Sequence, residues 1–174
     1  MYTFEEWKKN LIIVRGGGDI ATGTIYKLYQ SRFSVLVLEI ANPSCIRRTI
    51  SFCEAVFDKK VEVEGVTAKR AESLEDAFAI YGQGQIPVMI DENGSMIQEV
   101  QPPVVVDAIL AKRNLGTKIT DAPAVIGVGP GFCAGKDVDA VIETQRGHNL
   151  GRVIYEGEAA PNTGIPGMIG GYAK

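Results

Sequence analysis

Gly16, Gly18 and Ala21 stand at the spacing G-x-G-x-x-A, and an acid, Glu39, follows roughly twenty residues further on. These residue types suit a pyrophosphate. Gly16 permits a tight turn, Gly18 lets backbone approach the ligand, and Ala21 lets a helix sit close to a sheet. Gly17, Gly18, Asp19 and Ile20 would then supply N–H groups at the positive end of that helix, where an anion is stabilised. Glu39 lies where such a site expects a carboxylate for a ribose 2′-hydroxyl. The competing reading is a turn that only joins strand to helix. Asp19 opposes an anion unless it caps the helix, while Arg15, Arg47 and Arg48 are placed to reach phosphates or to be solvated surface.

A second cluster, "VIGVGPGFCAGKDVDAVIETQRGHNLGR", carries Gly129 and Gly131, whose backbone N–H groups would stand at the end of another strand. It departs from the nucleotide-hydrolase phosphate loop: Gly135-Lys136 is followed by Asp137, not by the Ser or Thr that would hold magnesium. Asp137, Asp139 and Glu143 could face a hard cation, but solvated strand ends are favoured and no metal is expected. His148, the single histidine, is a candidate general base or anion donor, with a structural hydrogen bond as the alternative. Three cysteines are present. Cys53 lies in an apolar stretch and is expected buried; Cys133, in a glycine loop, and Cys45, near Arg47 and Arg48, are the better candidates for reactive sulfur, with inert thiols favoured.

The elements that must position these groups follow from hydrophobic spacing. Leu11 to Val14 reads as a strand buried on both faces, and Ile20, Ala21, Thr24, Ile25 and Leu28 recur at helical spacing. "VLVL" at 35–38 is a second buried strand, ending at Glu39. Asn42-Pro43 marks a turn, with a short helix expected around Ser51 to Phe57. "VEVEGVTA" alternates as one half-exposed strand. Ser73 to Asp76 starts a helix carrying Leu74, Ala77, Phe78 and Tyr81. "IPVMID" is a strand, "DENG" a turn, and "PPVVVDAILAKRN" a buried strand running into a helix after Asp107. This alternation predicts an α/β fold, a doubly wound parallel sheet with helices on both faces. Residues 1–117 form its nucleotide-binding part. Residues 118–174 form a β-rich extension of the same single domain, which ends in the glycine-rich "GIPGMIGGYAK" and reads as truncated.

Bulk composition narrows the function classes. With 45% hydrophobic residues in 174, the chain can bury a real core, and its net charge of −3 without a basic cluster excludes nucleic acid as an expected partner. An odd number of cysteines without a CxxC pair fits a reducing, cytoplasmic setting. No apolar leader precedes the first strand, and no run is long enough for a membrane span.

Taken with "NPSCIRRTISFCEAV", "VDAILAKRNLGT" and "VGPGFCAGKDVDAVIETQRGHNLGRVIYEGEAAPNTG", the chain resembles the YqeB family of selenium-dependent molybdenum hydroxylase accessory proteins, related in role to the XdhC-type xanthine dehydrogenase chaperones. The resemblance implies a Rossmann-like domain that helps mature a molybdenum hydroxylase. It puts the nucleotide role on Gly16, Gly18, Asp19 and Glu39, and it marks Asp107, Lys112, Gly129, Gly131, Asp139, Glu143, Arg146 and His148 as signature positions. Asp107 thereby joins His148 and Cys133 as a catalytic candidate. Family members often carry threonine in place of Cys133, which weighs against chalcogen carriage there. The expected ligand is a molybdopterin dinucleotide or NAD, and the expected partner is the hydroxylase apoprotein, with a homo-oligomer left open. The alternatives are an NAD(P)-dependent oxidoreductase, which lacks a Y-x-x-x-K pair, and an NAD-binding regulatory module.

Overall fold

The computed structural model describes residues 2–161. The glycines at 164–171 and the suggested truncation lie outside the described residues. A nine-stranded sheet runs in the order β10-β9-β7-β6-β1-β2-β5-β4-β3. At its centre β1 (Leu11–Arg15) pairs in parallel with β2 (Ser34–Glu39) on one side and β6 (Val104–Asp107) on the other. All five residues of β1 are buried, which is why the segment is an unbroken apolar run with Arg15 as its single polar member. Parallel pairing continues through β5 (Ile86–Ile90) and β4 (Val66–Ala71) on one flank and β7 (Ala124–Val128) and β9 (Ala140–Ile142) on the other. The edges, β3 (Lys60–Val63) and β10 (Val153–Ile154), are antiparallel. Strands from the stretch read as an extension therefore continue the same sheet, and β7 is hydrogen-bonded to β6 across the 117/118 boundary. A small second sheet pairs β8 (Cys133–Ala134) with β11 (Gly157–Glu158).

Alternate residues of β1 enter two separate cores. Leu11 and Ile13 pack with Trp7, Leu74, Ala77, Ile80, Ile97 and Val100, so α1 (Phe4–Lys9), α4 (Leu74–Gly82) and α5 (Ser95–Val100) cover one face. Ile12 and Val14 pack with Ala21, Ile25, Phe52 and Val56, placing α2 (Asp19–Gln30) and the 48–58 segment on the other. Complete burial of Ile25 alone contributes about 1.5–3 kcal/mol. The layout is the α/β, Rossmann-like one the alternation predicts.

Several elements differ from the expectations. "VEVEGVTA" is a hairpin, not one strand, because Glu64 and Gly65 take φ of 50° and 75° and turn the chain between β3 and β4. The helix expected after Asp107 does not form. The Asp107 carboxylate takes the Ile109 N–H, and Leu110 and Lys112 sit at φ of 58° and 61°, so residues 108–117 make a loop. The helix around Ser51 to Phe57 is broken into tight turns at Arg48–Ile50 and Phe52–Glu54, followed by α3 (Ala55–Asp58). Two helices lie where none was expected. α1 is started by a reciprocal Thr3 and Glu6 capping box, and α5 by Asp91, whose carboxylate accepts from the Met96 N–H at 2.8 Å.

Candidate functional site

The crossover through α2 leaves β1 toward β2, whereas β6 flanks β1 from the other side, so the strand order reverses beside β1. Open α/β sheets bind ligands at the carboxyl ends of strands around such a point. A cleft of about 360 Å³ opens there. Its floor is made by Arg15 at the end of β1, by Gly16 and Gly18 after it, and by Leu38 and Glu39 at the end of β2. One wall is the segment 43–47 with Cys53; the opposite wall is Ala108 to Leu110 with Leu115; Asp91 and Glu92 close a third side.

The glycines of the loop are there for different reasons. Gly16 has φ of 91°, and a Cβ on it would lie 3.0 Å from the Ala108 carbonyl oxygen, so glycine is what lets the 108–117 loop meet β1. A Cβ on Gly17 would press the Cys53 nitrogen at 3.0 Å. Gly18 differs from both. Its φ is −63°, and a Cβ there would meet no atom within 4 Å. It is the N-cap of the twelve-residue helix α2, and no side chain caps that end. Glycine at 18 thus leaves the helix N-terminus open toward the cleft.

Glu39 is buried and bonded to the loop: its Oε1 accepts the Gly17 N–H at 2.6 Å and its Oε2 the Ile40 N–H at 2.9 Å. Burial pushes its pKa above the ordinary carboxylate value, and the two N–H donors pull the other way. The Gly17 N–H is consequently spent on Glu39 within the protein. The Asp19 carboxylate is ion-paired with Arg47, which lines the cleft, so the negative charge beside the helix start is offset. Arg48 faces elsewhere. It forks onto Glu54 and lies over the Phe57 ring at 5.1 Å, away from the cleft lining. Ile20 lines the cleft and is half exposed.

Behind the floor, Arg15, Asp107 and Thr117 form a buried polar cluster. Arg15 Nη1 donates to Thr117 Oγ1 and lies 3.5 Å from Asp107 Oδ2, which also accepts the Thr117 hydroxyl. With Oδ1 on the Ile109 N–H, the Asp107 carboxylate fixes the start of the cleft wall, and its side chain is 1% exposed. Thr117 was not singled out in the sequence because its partners lie 10 and 102 positions away.

The remaining candidates fall outside the cleft lining. Gly129 and Gly131 accommodate neighbouring protein: a Cβ would stand 3.0 Å from Thr144 Oγ1 and 2.6 Å from the Arg113 backbone respectively. They hold the 108–117 loop from behind. His148 is exposed on the turn between β9 and β10. Cys133 is half-buried on β8. Asp137, Asp139 and Glu143 each accept backbone N–H groups, from Cys133, from Val125, and from Gln145 and Ala160. Asp137 closes a local turn, whereas Asp139 and Glu143 also tie segments 14 and 17 positions apart. Of the signature positions, Lys112 and Arg146 are exposed on loops.

No protein-family model and no solved structure matches the chain. Among the described residues no helix is long and apolar enough to cross a membrane. The chain is 53% identical over 162 residues, 93% of its own length, to the uncharacterized protein YqeB of Escherichia coli (strain K12), and it spans 30% of that protein's length, a likeness that supports the YqeB family.

Proposed function

We propose that this chain binds the pyrophosphate of a dinucleotide at the start of α2, and that it serves as an accessory protein in the maturation of a selenium-dependent molybdenum hydroxylase. The observation that carries the binding half is Gly18. The fold has no steric use for glycine there, yet the residue opens an uncapped helix N-terminus onto a cleft at the strand reversal. A bound anion accounts for that choice. Glu39 and Arg47 line the same cleft, Glu39 at the sequence position of a ribose-binding carboxylate and Arg47 through the salt bridge that offsets the Asp19 charge beside the helix start. The accessory role, the molybdopterin dinucleotide and the hydroxylase apoprotein as partner are what the family resemblance of the sequence motifs implies, with NAD as the rival ligand.

An NAD(P)-dependent oxidoreductase is less well supported. The cleft presents no imidazole, since His148 lies outside its lining, and Asp107 is engaged by Arg15, Thr117 and Ile109. Calorimetry with NAD, NADP and molybdopterin cytosine dinucleotide tests the reading. Binding of the molybdopterin compound is the expected result, and tight NAD binding without it would return the chain to the NAD-dependent classes. Gly18→Val, whose Cβ meets no atom within 4 Å, is expected to weaken binding about a hundredfold; unchanged affinity would remove the loop from the site.

A further inference from the structure

The two edges of the nine-stranded sheet are guarded differently. Among the described residues, β3 and β10 each lack a neighbour on one side, and such a side invites a further strand. β3 opposes this with exposed charge at Lys60 and Glu62. β10 carries none. Its Val153 is 44% exposed and the adjoining Tyr155 75%, while Ile154 packs against the core that holds Leu11 and Ile13. Charges stand only at the two ends, Arg152 before the strand and Glu156 after it, both exposed and neither ion-paired among the described residues. A groove of about 580 Å³ opens here, lined by Arg152, Val153, Tyr155 and Glu156.

We propose that the open edge of β10 receives a second copy of this chain, joining two sheets antiparallel about a two-fold axis. The order Arg-Val-Ile-Tyr-Glu at 152–156 is complementary to its own reverse. Two copies centred on Ile154 set Arg152 of each opposite Glu156 of the other, and Val153 opposite Tyr155. The first pairing joins opposite charges and the second a β-branched residue to an aromatic one, and both stabilise adjacent strands. An in-register parallel approach would bring like charges together instead. The charges thus choose the occupant, because a second copy supplies the matching pair in the required order and two-fold symmetry makes each contact twice. The chain bends at Tyr155 and Glu156 toward β11, so few residues pair. Such a contact covers less than the roughly 1,200 Å² of a standard interface, and half-association is expected at about 10–100 µM. Three strands separate β10 from β1, so the contact does not depend on what the cleft binds.

Sedimentation velocity of the full chain between about 1 and 300 µM tests this, with a mass that climbs from monomer toward dimer as the expected result. Arg152→Glu and Glu156→Arg each put like charges at both contacts, and each alone is expected to weaken association at least about tenfold. Mixed with one another, the two variants are expected to regain dimers, since every contact then joins a Glu to an Arg. Both side chains are exposed, and circular dichroism checks that each variant keeps the parent fold. A parent that stays monomeric at the highest concentration would overturn the proposal. So would a dimer indifferent to both variants, which would place the meeting of copies elsewhere, or a mixture that stays monomeric while the parent associates.

Discussion

Two glycine clusters look alike in the sequence and do opposite things in space. In the cluster from β7 onward, the protein fills what Gly127 and Gly131 leave: a Cβ on Gly127 would lie 2.6 Å from the Phe132 ring, and one on Gly131 would lie 2.6 Å from the Arg113 backbone, while Gly135 meets nothing but turns the chain at φ of 83°. In the loop after β1, Gly16 and Gly17 are used the same way, but Gly18 opens onto space the protein does not occupy. A glycine is thus informative about ligands only after its intramolecular neighbours are known. Density of glycines is not the signal; a glycine with no internal use at a helix start is.

The contrast can be broken by substitution. The largest effect is expected from Gly131→Ala, which combines φ of 110° with collision against fixed backbone and should cost about 3 kcal/mol or prevent folding, read as a fall in the urea midpoint. Gly18→Val should change the unfolding free energy by less than about 1 kcal/mol while weakening dinucleotide binding by about a hundredfold. A destabilised but still binding Gly18 variant would erase the distinction between the clusters. Glu39→Gln is expected to cost about tenfold in affinity, because the amide keeps one acceptor, for Gly17, but sets an NH2 against the Ile40 N–H and loses the carboxylate proposed for a ribose hydroxyl.

The smallest effect concerns the cleft wall at Cys53, opposite the 108–117 loop that meets both clusters. Burial keeps the Cys53 thiol neutral in the folded chain past the ordinary thiol value of 9.0, whereas the unfolded chain releases that proton. Its contribution is fully present below that pH and is lost as pH rises above it. Under reducing conditions, stability should therefore decline above about pH 9 in the parent chain and decline less steeply in Cys53→Ala. Identical slopes would mean that the thiol is not shielded.

What the sequence discloses is set by how local the cause is. β1, the glycine turn, α2 and β2 were legible because each rests on burial or spacing within a few residues of itself. The cleft's far wall was not. Residues 108–111 carry a helix-compatible apolar pattern, and the loop that replaces it depends on Asp107, on Arg15 ninety-two positions earlier, and on the room left by Gly131. Asp19 read as an objection to an anion because Arg47, its partner, is twenty-eight positions away. His148 and Cys133 drew attention as rare, reactive types, yet rarity does not bring a residue to the cleft.

The carbonyl and N–H of Gly17 have a kinetic consequence. The carbonyl accepts from Cys53 N–H and Thr22 Oγ1, and the N–H donates to Glu39, so the peptide groups on either side of this residue are held from three directions before any ligand arrives. A ligand then meets a finished surface, and association has no loop-ordering step to wait for. Differences in affinity among ligands of this loop should accordingly be written in their dissociation rates, with arrival rates nearly alike.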